Sequence, residues 1–304
     1  MGPDRPMRAV MLIVAAMALL GLFDNLVSVI ARDIGLWQFH FLRAALAIGL
    51  LGGLSALGLI SLGARRRWAV ALRGGFSAAA MVIYFGSLAF LSVAETAAGL
   101  FSAPIWVLLL SVLWVGARPG MVQIGAALVG FGGVLLVLDP LAEGLRLMAL
   151  LPMLAGLFYA IGSLATRQFC EGEGTFAMLL WFFIALLIMG AVGLVVLHFW
   201  LLEAAEGAAG FIRRGWVWPV SPLAGGLTIV QAPVAVIAVA LIFRAYQLGE
   251  VGHVAVFEYT LLLFAAFWTW LLWGELPAPR AWLGMGLIAA SGAVLTLAAG
   301  REKG

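Results

Sequence analysis

Phe101-Ser102-Ala103-Pro104-Ile105-Trp106, running on through Leu113-Trp114-Val115-Gly116-Ala117-Arg118-Pro119, returns 158 residues later as Tyr259-Thr260-Leu261-Leu262-Leu263-Phe264 and Leu271-Leu272-Trp273-Gly274-Glu275-Leu276-Pro277. Each copy leads into a glycine-rich apolar stretch, Ile124 to Leu138 and Leu283 to Leu297, in which Gly132-Gly133 stands where Ser291-Gly292 stands in the other. Apolar helices resemble one another by composition alone. The shared tryptophan-glycine turn, with proline three residues after the glycine, is more specific than composition. An internal repeat in a membrane chain builds two half-sites around one path.

The chain has 304 residues, 65% of them hydrophobic and 10% charged, against about 25% charged in a soluble domain. That places it among polytopic integral membrane proteins. The net charge of +3 is small, and the single cysteine, Cys170, allows no intramolecular disulfide. His40, His198 and His253 are far apart and form no metal-ligand spacing. No zinc-protease His-Glu motif, phosphate-binding Gly-Lys loop or Gly-x-Ser-x-Gly elbow is present, and Gly130-Phe131-Gly132-Gly133 sits inside an apolar run with no strand before it. The reading is therefore of a protein that is not an enzyme, with no cofactor, metal or nucleic acid.

Ten apolar segments can be marked, at about 9–30, 36–60, 72–93, 97–115, 121–138, 147–168, 176–200, 222–246, 252–273 and 281–299, each near the ~20 residues a membrane-spanning helix needs. The first is too long for a signal peptide's apolar core. The fold class expected is all-α integral membrane, ten transmembrane helices as two inverted five-helix repeats, with residues 1–140 the first half and 141–304 the second. Five is odd, so the second half starts from the opposite side of the membrane, related to the first by an in-plane pseudo-two-fold axis. With both termini inside, eleven Arg and Lys fall inside, five fall outside, and Arg43 lies within a span. Much of that positive-inside bias comes from Arg65-Arg66-Arg67 and Arg73. The stretch Leu201 to Ser221, with Trp216 and Trp218, suits a short interfacial helix. Pro104, Pro152 and Pro233 lie inside spans and permit kinks.

Ionisable groups within the hydrocarbon are functional candidates by default. Asp24 and Arg43 each lie about seven residues, ~10 Å, from the outer face. They can form a charged element beside the path, a protonation site or carboxylate anchor, or a structural ion pair stapling the first hairpin. Glu258, with Tyr259 after it, can act as a gate or coupling site. It can equally be a helix-end residue paired with Arg244. Asp24 and Glu258 are the candidates for coupling and gating, and a proton the candidate coupling ion. Glu95 reads as a solvated external helix end. Tyr84, Ser102, Trp106, Tyr159, Ser163, Trp181 and Gln231 sit near mid-membrane depth and together suit an amphipathic organic solute, rings for its apolar part and hydroxyls or amide for its polar ends.

The chain resembles the EamA-type permeases of the drug/metabolite transporter superfamily. The residues that carry the likeness are Phe39-His40-Phe41-Leu42-Arg43, Ala97-Ala98-Gly99-Leu100-Phe101-Ser102-Ala103-Pro104, Gly130-Phe131-Gly132-Gly133-Val134-Leu135-Leu136-Val137, and Phe257-Glu258-Tyr259-Thr260 followed by Trp273-Gly274-Glu275-Leu276-Pro277. The resemblance implies ten helices, both termini cytoplasmic, and alternating access around a central cavity. Its members include amino-acid exporters and carriers for metabolites such as riboflavin or S-adenosylmethionine. The expectation is a monomeric carrier in the bacterial inner membrane exporting a small amphipathic metabolite, with an amino acid first. Uptake of a vitamin- or nucleoside-like metabolite and flipping of a lipid-linked substrate are the alternatives.

Overall fold

The computed structural model describes residues 6–116, 120–139, 147–200, 208–248 and 257–301. Arg118, Pro119, Pro140, Glu203, Glu206 and His253 lie outside these residues. Every regular element among them is helical: α1 (Pro6–Asn25), α2 (Val27–Asp33), α3 (Leu36–Ala56), α4 (Arg67–Ser87), α5 (Val93–Leu100), α6 (Ala103–Val115), α7 (Met121–Leu138), α8 (Leu151–Phe169) after a 3₁₀ turn (Leu147–Leu150), α9 (Thr175–Trp200), α10 (Ala208–Arg213), α11 (Pro222–Leu248), α12 (Thr260–Trp273) and α13 (Pro279–Arg301). Six stretches are long and apolar enough to cross a membrane: Met7–Asp33, Leu36–Ala56, Arg67–Ser87, Val93–Trp114, Thr175–Trp200 and Pro222–Ile242. Ile124–Leu138, Leu151–Thr166 and Thr260–Trp273 are shorter apolar helices. The chain is a multi-pass membrane protein.

Two compact units form, and neither is a continuous piece of chain. The first comprises Met1–Asn25, Leu91–Leu157 and Ile237–Gly304, the second Leu26–Phe90 and Phe158–Val236. Each draws on sequence from both sides of residue 140.

In the first unit α7 packs against α13 and α1 against α12, while α5 touches both α7 and α12. Small residues allow this, because lipid supplies no hydrophobic drive for helix association and close backbone packing must supply the attraction. A Cβ on Gly133 would lie 2.7 Å from the Gly284 carbonyl oxygen, and one on Gly284 would lie 2.6 Å from that of Gly133. The Ser291 hydroxyl, on the same seam, donates to the Ala126 carbonyl. Arg280 and Asp139 form an ion pair at the end of that seam. In the second unit α9 packs against both α3 and α4. There a Cβ on Gly190 would meet the Phe41 amide nitrogen and Trp37 carbonyl oxygen at 2.8 Å, and one on Gly74 the Trp181 backbone at 2.9 Å.

Expected single spans turn out to be interrupted. The first breaks at Leu26, where Val29 N–H bonds back to the Leu26 carbonyl in a tightened turn. The fourth breaks at Phe101-Ser102, where Ser102 N–H donates to the Gly99 carbonyl. In the ninth the backbone is helical at Phe257-Glu258, turns at Tyr259 and resumes at Thr260. Pro104 therefore lies in the first turn of α6 and Pro152 in the first turn of α8, where a missing N–H costs no intrahelical bond. Of the three expected kink points, only Pro233 is a proline in a helix interior. Glu95 is also not simply solvated. Its carboxylate accepts from the backbone N–H of Ser92 while the Ser92 hydroxyl accepts from the Glu95 N–H, a reciprocal cap on α5.

The end of the second unit around α10 is closely fastened. Arg214 donates to the carbonyls of Ala31 (3.0 Å) and Arg32 (2.7 Å) at the end of α2. Gln38, fully buried, exchanges two 2.9 Å hydrogen bonds with the Val217 backbone, and the Trp37 indole donates to the Ile212 carbonyl. Trp216 and Trp218 stay exposed, as an interfacial edge requires. At another loop pair of this unit the Glu173 carboxylate accepts from the backbone N–H groups of Arg65 and Arg66, just ahead of α4. Arg214→Met would leave two α2 carbonyls without their charged donor. An unfolding midpoint lower by several degrees is expected in a detergent thermal-shift assay, from a loss of about 2 kcal/mol.

Candidate functional site

Two polar clusters emerge, one in each unit. The first gathers where broken helices meet. Phe101, at the α5/α6 break, and Tyr259, at the break before α12, are repeat mates, and their rings lie 5.0 Å apart, centroid to centroid, tilted by 53°. The Tyr259 ring also rests on Gly292 of α13, where any Cβ would run into it. The Thr260 hydroxyl donates to the Phe257 carbonyl at 2.6 Å and closes the turn in front of α12. Beside the other break, the Trp106 indole N–H is shared between Ser102 Oγ and the Met153 carbonyl, each at 3.1 Å. That bond ties α6 to α8. Gly99 and Gly156 make the approach possible, since side chains there would strike Pro152 and Ser102.

Asp24 and Asn25 end α1 in the same unit, 8% and 3% exposed. Asn25 bridges helices: its amide donates to the carbonyls of Gly21 (2.8 Å) and Ala265 (3.3 Å) and its oxygen accepts from the Thr269 hydroxyl (2.8 Å). Charge in the sequence singles out its neighbour Asp24. The signal that could have found Asn25 is the same one, a polar residue deep in an apolar run. The first unit thus holds Asp24, Ser102, Trp106, Glu258 and Tyr259 of the expected residues, around two helix breaks. Breaks of this kind expose backbone polar groups at membrane depth, tolerated only where protein or a polar path satisfies them.

The second cluster centres on Arg43, 5% exposed. Its guanidinium lies over the rings of Phe39 (4.9 Å) and Phe85 (4.5 Å), and Nη1 donates to Gln231 Oε1 at 3.5 Å. Tyr84 stands edge-on to Phe85, centroids 5.4 Å apart. Rings on two sides lower the cost of a cation away from water by cation–π attraction. The same set encloses His40, fully buried, its ring 5.3 Å from that of Phe85 and perpendicular to it. Of the expected residues, Arg43 and Gln231 are in contact here, with Phe39 and Phe85 beside the guanidinium and Tyr84 against Phe85. Tyr159 and Ser163 lie on α8, both exposed, the Ser163 hydroxyl donating to the Tyr159 carbonyl at 2.9 Å. Trp181 does not join the Arg43 group. It packs on the small apolar cluster of Ala69, Val70 and Cys170. Among the described residues no group of His, Cys, Asp and Glu could hold a metal ion.

Known proteins resemble the chain in both sequence and fold. Residues 7–139 match the EamA-like transporter family. Over 254 residues, 83% of this chain and 76% of the relative, the sequence is 27% identical to a riboflavin transporter of Rhizobium johnstonii. It is 28% identical to a riboflavin transporter of Vibrio cholerae over 198 residues, 65% of this chain and 60% of that one. It is 25% identical to the pseudopaline exporter CntI of Pseudomonas aeruginosa over 207 residues, 68% and 66% of the two chains. A protein of known crystal structure shares the fold with a TM-score of 0.63 at 19% identity, covering 97% of this chain and 99% of that one.

Proposed function

We propose, from the match of residues 7–139 to the EamA-like transporter family, that the chain is a secondary carrier for a small amphipathic organic metabolite, working by alternating access. The observation that carries this reading is the meeting of Phe101 and Tyr259 at the breaks of two helices that are copies of one another. A break in each of two repeat-related helices gives the bundle hinge points and polar backbone near its middle, the arrangement carriers use for a midplane site. Residues 1–140 and 141–304 are the two inverted halves of a ten-helix bundle. The pairing of helices supports this: α7 packs on its repeat mate α13, and α3 on its mate α9. The protein acts as a monomer in the bacterial inner membrane with both termini cytoplasmic.

For the substrate, a vitamin-like aromatic solute takes precedence over an amino acid. The two riboflavin transporters among the relatives support it, as does a site whose walls are rings flanked by the Ser102 and Thr260 hydroxyls. Amino-acid export is the second reading, favoured by the relative named as an exporter and by a buried guanidinium able to face a carboxylate. Proteoliposome flux separates them: saturable movement of radiolabelled riboflavin supports the first, movement of amino acids alone the second, and no movement of any solute by folded protein overturns the carrier reading. Protons are the coupling ion and Asp24 and Glu258 the coupling groups, because they are the carboxylates beside the breaks. Asp24→Asn and Glu258→Gln are expected to abolish pH-driven accumulation while leaving solute exchange. Accumulation unchanged in both variants would remove these residues from coupling.

A further inference from the structure

Arg73 stands six residues into α4, ~9 Å along the helix from its start. It differs from Arg43 in what holds it. Its Nε donates to Thr166 Oγ1 at 3.2 Å, and that hydroxyl donates onward to the Gly162 carbonyl at 2.8 Å. Gly162 lets α8 come this close, since a Cβ there would lie 2.8 Å from Ser77 Oγ and 3.5 Å from the Arg73 carbonyl oxygen. The root of the guanidinium is thus fixed between two helices. Its two terminal amino groups make no hydrogen bond, and no carboxylate pairs with it, among the described residues. Tyr159, Ser163 and Thr166 follow at spacings of four and three, on one face of α8, and Tyr159 is 43% exposed. The same end of α4 carries Arg65, Arg66 and Arg67, all exposed, and the Glu173 carboxylate that accepts from the backbone N–H groups of two of them.

We propose that Arg73, held at its root by Thr166, forms a subsite for the anionic group, a carboxylate or phosphate, of the transported solute. A guanidinium fixed through Nε presents its two amino groups as a planar fork, the geometry that matches two oxygens of such a group. An unpaired cation inside a span is costly, and a ligand anion removes that cost. The subsite rests on the carrier reading above, and it gives that carrier a way to tell charged from neutral forms of one solute.

The test is equilibrium binding to the purified protein in phosphatidylcholine nanodiscs, where no anionic lipid headgroup competes for the guanidinium. Two matched pairs serve as probes: flavin mononucleotide with riboflavin, and tryptophan with tryptophanamide. The wild-type protein is expected to favour the anionic member of at least one pair by about tenfold. Arg73→Gln is expected to erase that preference without changing affinity for the neutral member. Arg73→Lys should retain part of it, and Thr166→Val, which frees the guanidinium, should weaken it. Inorganic phosphate and added salt should compete with the anionic probe only. Equal affinity for both members of each pair, no binding of either anionic probe, or an equal loss for both members in Arg73→Gln would overturn the subsite. Binding is read without flux, so solute movement that ignores charge overturns the subsite alone, and charge-selective binding without movement overturns the carrier reading alone.

Discussion

Gly284→Leu is expected to prevent the first unit from assembling. Gly284 and Gly133 face each other's carbonyl oxygens, so that even a Cβ would sit 2.6 Å from one and 2.7 Å from the other. The atoms in the way are backbone, which cannot swing aside as a flexible side chain does. Overpacking a core costs about 1–3 kcal/mol when neighbours can yield. Here two helices must separate along a seam that also carries the Ser291–Ala126 hydrogen bond and the Arg280–Asp139 pair. The measurement is monodispersity and yield after detergent extraction. Loss of the monodisperse peak is the expected result, and a lesser loss is expected for Gly284→Ala. Gly286→Leu is the control, since a Cβ on Gly286 meets nothing within 4 Å.

Tyr259→Ala is expected to leave the fold in place and to weaken transport at least tenfold at low solute concentration. The ring closes one side of the meeting point, in contact with Phe101 and with the Gly292 backbone. Its deletion takes away the aromatic wall and loosens the break ahead of α12. A single pocket contact of this kind is worth about tenfold or more in discrimination, so the Michaelis constant for the transported solute should rise by at least that factor. Gly292→Val approaches the same point from the other side, because its side chain occupies the place of the Tyr259 ring. It should displace the ring and give the same loss. Tyr259→Phe, which keeps the ring, should retain most of the transport. If the three variants transport equally while remaining folded, the helix breaks are not the site.

Much of the helical layout could be read from the chain because apolar runs of spanning length are a property of the sequence alone, and membrane helices must satisfy their own backbone. The breaks were less legible. Residues 97–115 read as one apolar run, and Pro104 suggested a kink within it. Proline is in fact tolerated best at a helix start, so the helix ended ahead of it and α6 began anew. The Tyr259 break has no proline near it to announce it. It became visible only as the mate of Phe101, against which it packs.

The site was legible where partners share a helix and hidden where they come from different ones. Phe39 and Arg43 are one turn apart on α3, so their contact follows from spacing. Phe85 arrives from α4 and Gln231 from α11, and nothing in the α3 sequence foretells them. In the sequence Arg73 stands out only as part of a positive cluster, because Arg65, Arg66 and Arg67 stand just before it. Its fixed guanidinium depends on Thr166 and Gly162 of another helix. Trp181, selected for its depth, instead covers Ala69, Val70 and Cys170. Depth along a helix says nothing of which way a side chain faces.

The central claim, that solute passes where the two broken helices meet, is tested most directly by counterflow in proteoliposomes. Wild-type and Tyr259→Ala protein, both monodisperse before reconstitution, would be loaded with unlabelled riboflavin, or in parallel with unlabelled tryptophan, and given the labelled solute outside. The account predicts transient, saturable accumulation of one of these solutes by the wild-type protein and little or none by the variant. Equal accumulation by both proteins, or none by the wild type with either solute, would contradict it.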